Sequence, residues 1–159
     1  ARMPRPIFKR INIIDVISRA VDFAKMSSKN EINFTKKNIP LTINGDSEQL
    51  NRVFINLLKN SEESILDKSK KDANFKGKID IEILPNNDYI MIRLIDNGTG
   101  ISNTKKAMTP YFTTKQKGTG LGLPIVNKII NEHLGDFTLN NLKDGNGIDI
   151  IISFPKTNA

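Results

Sequence analysis

Three short stretches carry residue types whose spacing suits chemistry. "NLLKNSEES" sets Asn56 and Asn60 four residues apart, which on a helix puts both amides on one face. Amide oxygens are hard, neutral ligands. Mg²⁺ prefers oxygen, keeps several waters and borrows charge from substrate phosphates, so one or two protein ligands suffice. Two asparagines on a solvated surface account for the same spacing in a chain rich in asparagine. "LIDNGTGI" brings Asp96 to the end of an alternating apolar run, with Gly98 and Gly100 following. A carboxylate sheltered by Leu94 and Ile95 is costly to bury without donors, and an exocyclic amine such as that of adenine is one donor that fits. The glycines allow a sharp turn and close approach to a flat ligand, although Asp-Asn-Gly is good turn chemistry anywhere.

The third stretch, "TTKQKGTGLGLP", spaces Gly118, Gly120 and Gly122 at every second position and runs directly into an apolar helix. It is neither a P-loop nor a dinucleotide fingerprint: there is no G-x-x-x-x-G-K-[ST], and no strand stands immediately before it. What remains is a glycine-rich helix start, where unpaired N–H groups favour an anion. Pro124 falls in the first turn, where its missing N–H costs little, and Lys115 and Lys117 add positive charge.

The elements that position these residues follow from periodicity. Ile13, Val16, Ile17, Ala20, Val21 and Ala24 make one helical stripe, with Asn12 as its cap. "INFTKK" and "LTING" read as short strands. A second helix starts at Asp46, with Gln49 as a capping-box partner and a stripe of Leu50, Val53, Phe54, Leu57, Leu58 and Ile65. A polar loop from Lys68 to Lys78 leads to a hairpin in which Ile79, Ile81 and Ile83, then Ile90, Ile92 and Leu94, alternate about "PNND". The third helix buries Ile125, Val126, Ile129 and Ile130 and ends at Gly135. Strands near Phe137–Asn140 and Ile148–Phe154 flank a "KDGNG" turn. Helices on one face of a mixed, mostly antiparallel sheet predict an α/β (α+β) two-layer sandwich.

Composition narrows the function classes. At 159 residues the chain suits one domain. Cysteine is absent, which removes disulfides and thiolate metal sites. The net charge of +7 is scattered and not interleaved with aromatic residues, so nucleic acid is not the expected partner. No apolar run approaches the roughly 20 residues of a membrane span, and no signal peptide is apparent. The chain opens "ARMPRP" without an initiator methionine, and we expect it to be a piece of a longer protein.

In order and spacing, the three stretches together resemble the ATP-binding catalytic domain of sensor histidine kinases, in the superfamily shared with gyrase, the Hsp90 chaperones and MutL. "NLLKNSEES" resembles the N box, "DNGTGI" the first glycine box, "TPYFTTK" the F-box region and "GTGLGL" the second glycine box. "ARMPRP" and "MTPYFTTKQKGTGLGLPIVNKIINEH" look most like the nitrogen-regulation (NtrY-type) branch. The resemblance implies a Bergerat-type ATP-binding fold over residues 9–157, with 1–8 as a linker from an upstream domain and 102–117 as an ATP lid. It implies ATP and Mg²⁺ as cofactors. Asn60 would ligate the metal, Asn56 would assist at the phosphates, and Asp96 would accept from the adenine amine. Gly98 and Gly100 would shape that pocket, with Ile101 against the base. Lys115 and the backbone of Gly118, Thr119, Gly120, Leu121 and Gly122 would meet the phosphates.

Two departures bear on mechanism. In ATPase branches of the superfamily a Glu that activates water stands four residues before the metal asparagine; here that position is Asn56, which cannot act as a base at neutral pH. Many kinases carry a Lys three residues after that asparagine; here it is Glu63, so its phosphate contact is absent or comes from Lys59 or the lid. The sole histidine, His133, falls late in the third helix on its apolar stripe and is expected to be partly packed and structural, with a favourable place near the helix C-terminus if charged. The acceptor histidine would then lie on a separate dimerisation domain of the same protein. A response regulator would be the next partner. The parent would be a homodimer with this domain in the cytoplasm, and an inner-membrane anchor elsewhere in it stays open. The competing classes are a nucleotide-responsive regulatory module without phosphotransfer and an anti-sigma-type serine kinase.

Overall fold

The computed structural model describes residues 4–101 and 122–157. In chain order the elements are β1 (Lys9–Asn12), α1 (Ile13–Lys25), β2 (Glu31–Phe34), β3 (Thr42–Gly45), α2 (Ser47–Ser69), β4 (Lys78–Pro85), β5 (Tyr89–Asp96), α3 (Gly122–Glu132), β6 (Asp136–Asn141) and β7 (Ile148–Pro155). Five strands form one sheet in the order β2-β4-β5-β7-β6, in which β2 and β4 run parallel and the other neighbours antiparallel. This is the α/β sandwich that the periodicity implied. No helix among the described residues is long and apolar enough to cross a membrane.

The layers meet through the alternating residues. Ile79, Ile81, Ile83, Ile90, Ile92 and Leu94 are all buried, as are Ile148, Ile150, Ile152 and Phe154 of β7. The opposite sheet face is more open and carries the bidentate Arg93–Asp149 ion pair, at 3.0 and 2.8 Å. Hydrogen bonding to Asp149, and its charge, raise the Arg93 pKa. The 23-residue α2 packs against both α1 and α3, and its whole expected stripe is buried.

The structure departs from the periodicity in several places. β1 was not expected; it pairs with β3 in a separate antiparallel ribbon, Ile11 opposite Ile43. Four residues are too short for an alternation signal to stand out. The loop expected from Lys68 begins only after Ser69, because α2 continues four residues past Ile65, the end of its apolar stripe. Ile125 is half-buried, not fully inside.

Two caps also differ. Asn12 caps α1 as expected, accepting from Ile14 N–H at 3.1 Å. Asp46 caps α2 through the N–H groups of Glu48 and Gln49, but the capping box is not closed. Gln49 Nε2 donates instead to the Pro4 carbonyl at 3.0 Å, and Ile7 N–H donates to Asp46 Oδ2 at 2.8 Å. Segment 4–8 is thereby tied to the start of α2. The Asp46 N–H is taken by His133 Nε2 at 3.0 Å, while His133 Nδ1 faces the Ile129 carbonyl at 2.8 Å. Both ring nitrogens are thus engaged by the backbone, which fixes the orientation of the imidazole. His133 is structural as expected, but it is buried and not just partly packed. At the end of α3 the left-handed residue is Leu134, at φ 60°, and not Gly135. Gly135 N–H reaches the Ile130 carbonyl and Leu134 N–H the Asn131 carbonyl, a Schellman closure. Gly135 is needed there for space: a Cβ would lie 2.5 Å from the Ser153 carbonyl oxygen.

Candidate functional site

Asp96 is the last residue of β5, with Ile79 of β4 on one side and Ile148 of β7 on the other. Its register turns it towards the helix layer, and it is only 1% exposed. A carboxylate there needs donors. Ser61 Oγ, on α2, donates to Oδ2 at 2.7 Å, and Gly98 N–H donates to Oδ1 at 2.9 Å. The second contact is the turn geometry that Asp-Asn-Gly allows anywhere. Here it coincides with a buried acid. A carboxylate oxygen accepts from more than one donor, so a ligand amine can join these contacts.

The following loop is clamped on both sides. Ser64 Oγ accepts from Thr99 N–H at 2.9 Å, and Lys68 Nζ donates to the Asn97 carbonyl at 3.3 Å. Asn141, at the end of β6, accepts from Ile101 N–H at 2.8 Å and donates to the Ile101 carbonyl at 2.6 Å. The glycines make this possible. A Cβ on Gly98 would lie 2.7 Å from the Ser64 carbonyl carbon, and one on Gly100, at φ 77°, would lie 2.7 Å from Asn141 Oδ1. Gly98 thus packs closely on α2 and Gly100 on β6.

Asn56 and Asn60 are half-buried, one turn apart on α2. Asn60 directly precedes Ser61, the residue that holds Asp96. It also faces the start of α3: a Cβ on Gly122 would lie 3.7 Å from Asn60 Nδ2 and 3.9 Å from Oδ1. The middle of α2 therefore brings Asn60, Asp96, Gly98 and Gly122 into one region. Lys115, Gly118, Thr119, Gly120 and Leu121 lie outside the described residues. Among the described residues no group of three His, Cys, Asp or Glu side chains is placed to hold a metal. An amide such as Asn60 suits Mg²⁺ only alongside waters and ligand phosphates, and the helix start opposite it suits such an anion. The donor set fits Mg·ATP in that sense.

Five contributors escaped the motif reading: Ser61, Ser64, Lys68, Asn141 and Gly147, whose missing side chain leaves room for the Asp96 carbonyl. The signal for the first two was available. The stripe of α2 runs through Leu50, Val53, Phe54, Leu57, Leu58 and Ile65, and Ser61 and Ser64 fall on it where apolar residues are due. Polar residues at buried stripe positions need partners. Asn141 and Gly147 had no comparable signal, because both act through the β6–β7 pairing.

Comparison with known proteins places the chain among relatives. The family model described as "Histidine kinase-, DNA gyrase B-, and HSP90-like ATPase" matches residues 45–158. An NtrY-like protein of Rickettsia felis is 34% identical over 160 residues, covering 98% of this chain and 26% of that protein. The nitrogen regulation protein NtrY of Azorhizobium caulinodans is 33% identical over 150 residues, covering 92% of this chain and 19% of that protein. The chain thus spans about a quarter or less of the length of these relatives. The nucleotide-free catalytic domain of the histidine kinase ThkA superposes with a TM-score of 0.79 at 29% identity, covering 95% of this chain and 97% of that one. With a family match over most of its length, and with Asn60, the buried Asp96 and the α3 start gathered at the middle of α2, the chain belongs to the histidine kinase-, DNA gyrase B- and HSP90-like ATPase family.

Proposed function

We propose that this chain is the ATP-binding catalytic domain of a sensor histidine kinase. It binds Mg·ATP and presents the γ-phosphoryl to a histidine on a separate dimerisation domain, from which a response regulator takes it. The carrying observation is the buried Asp96 carboxylate, fixed by Ser61 and the Gly98 N–H, beside an Asn60 that faces the start of α3. Asp96 accepts from the adenine amine, Ile101 lies against the base, and Gly98 and Gly100 keep the loop beneath it in shape. Asn60 holds Mg²⁺, and Asn56 assists at the phosphates. Lys115 and the backbone from Gly118 to Gly122 complete the phosphate contacts, with residues 102–117 as the lid of a domain spanning 9–157. When bound, Mg²⁺ neutralises phosphate charge. This chain's own part is to bind, orient and exclude water. The NtrY names among its relatives support the nitrogen-regulation branch. In this reading the domain lies in the cytoplasm of a dimeric parent.

Phosphoryl transfer needs positioning and charge neutralisation more than a base, so Asn56 at the water-activating position is no handicap to a kinase. It is one to a hydrolase. The chain alone should bind Mg·ATP in a calorimetric titration, bind ATP more weakly in EDTA, and release almost no phosphate over hours. Sustained release at many turnovers would contradict the kinase reading.

A further inference from the structure

We propose that Ser61 is a positioning residue that sets the preference of the site for purines bearing a 6-amino group; this rests on the reading of Asp96 as the adenine acceptor. Ser61 is 2% exposed, in the middle of α2, and its hydroxyl carries a single proton. That proton is given to Asp96 Oδ2 at 2.7 Å, while the Gly98 N–H is given to Oδ1 at 2.9 Å. These donors, one to each oxygen, hold the carboxylate plane from two directions. One comes from a rigid helix and the other from the turn that the carboxylate itself closes.

The consequence is directional. With the Ser61 and Gly98 donors pointing at the carboxylate, the group meets a ligand as an acceptor. An exocyclic amine is complementary to it, whereas a 6-oxo group opposes acceptor to acceptor, and a purine with hydrogen at that position leaves the acceptor without its ligand donor. Ser61 never touches the base in this account. It acts by holding Asp96 in one orientation, so its removal leaves the rest of the pocket intact and loosens only the amine contact. Helical propensity gives no reason for a serine here, since alanine is the better helix former.

The test compares Mg·ATP with the Mg²⁺ complex of purine riboside 5′-triphosphate, which carries hydrogen in place of the amine. Wild type should bind ATP more tightly. Ser61→Ala should weaken ATP about three- to tenfold, the range for loss of one net hydrogen bond, and leave the analogue within about twofold. Ser61→Thr, which keeps the hydroxyl, should retain the preference. Ser61→Cys, a weak donor of similar shape, should behave as alanine does and stands in if the alanine variant does not fold. Equal losses for both nucleotides in the alanine and cysteine variants would show a merely structural serine and overturn the proposal, as would no loss for either. If wild type itself does not distinguish the two nucleotides, the Asp96 reading fails. If wild type distinguishes them and the variants do so equally, the role of Ser61 alone fails.

Discussion

Asp96 is buried at a strand end among isoleucines, and two donors from separate elements meet its oxygens. Asp96→Asn keeps the shape and replaces an acceptor with an amine, which must then face a donor. We expect adenine-nucleotide affinity to fall about tenfold or more, since a buried polar mismatch costs about 1–3 kcal/mol. Unchanged affinity in a calorimetric titration would remove Asp96 from the adenine role. Gly147 bears on the same residue from behind. It sits at φ 127°, and a Cβ on it would occupy the space of the Asp96 carbonyl oxygen. Gly147→Ala should destabilise by about 3 kcal/mol in urea denaturation, combining backbone strain with overpacking. At this scale Asp96 and the asparagine pair showed in the sequence because short-range spacing carries them. Ser61 hid in plain view, as a serine in a stripe otherwise apolar. Asn141 and Gly147 were unreadable because their partners, Ile101 and Asp96, are 40 and 51 residues away in the chain.

The helices differ in how well their ends could be anticipated. Asn12 and Asp46 precede apolar periodicity and cap as such residues do. The completion of the Asp46 cap could not be foreseen, because it involves Pro4, Ile7 and His133 from elsewhere in the chain. Burial alone would raise the Asp46 carboxyl. The N–H groups of Ile7, Gln49 and Glu48, with His133 nearby, outweigh it and hold the pKa below its ordinary value of 3.8. A lowered folded pKa contributes stability that is present above the unfolded value and lost as pH falls through the folded one. Asp46→Ala should therefore cost about 0.5–2 kcal/mol at pH 7, and the gap to wild type should narrow as denaturation is repeated below about pH 4. A gap constant down to pH 2 would count against this carboxylate cap. At the end of α3, Leu134 holds a left-handed conformation while 79% exposed. Leu134→Gly gives up little packing and relieves that strain, so urea denaturation should show a gain of up to about 1 kcal/mol. A loss would mean that the exposed side chain contributes more than its backbone costs.

For the whole molecule, alternation and helical stripes were enough to obtain the layers, because every large strand buries one face against α1, α2 or α3. What they could not give was pairing. The parallel neighbour β2 beside β4, and the separation of β1 and β3 into their own ribbon, are choices among edges that look alike in sequence. The same layering makes α2 the organiser of the site, since it presents Asn56, Asn60, Ser61 and Ser64 along one side while its apolar stripe anchors it to the sheet. A domain so built offers a place for Mg·ATP, and its one histidine is buried and hydrogen-bonded at the far end of α3. Under the proposed function, the phosphoryl group therefore goes to a histidine elsewhere. The most direct measurement mixes this chain with γ-labelled ATP, Mg²⁺ and the phosphoacceptor dimerisation domain, and follows label on each polypeptide. On this account, alkali-stable, acid-labile label is expected on the acceptor domain, and Asp96→Asn should reduce it at ATP concentrations below saturation. Nucleotide binding with no label on the acceptor, or label appearing on His133 of this chain, would contradict it.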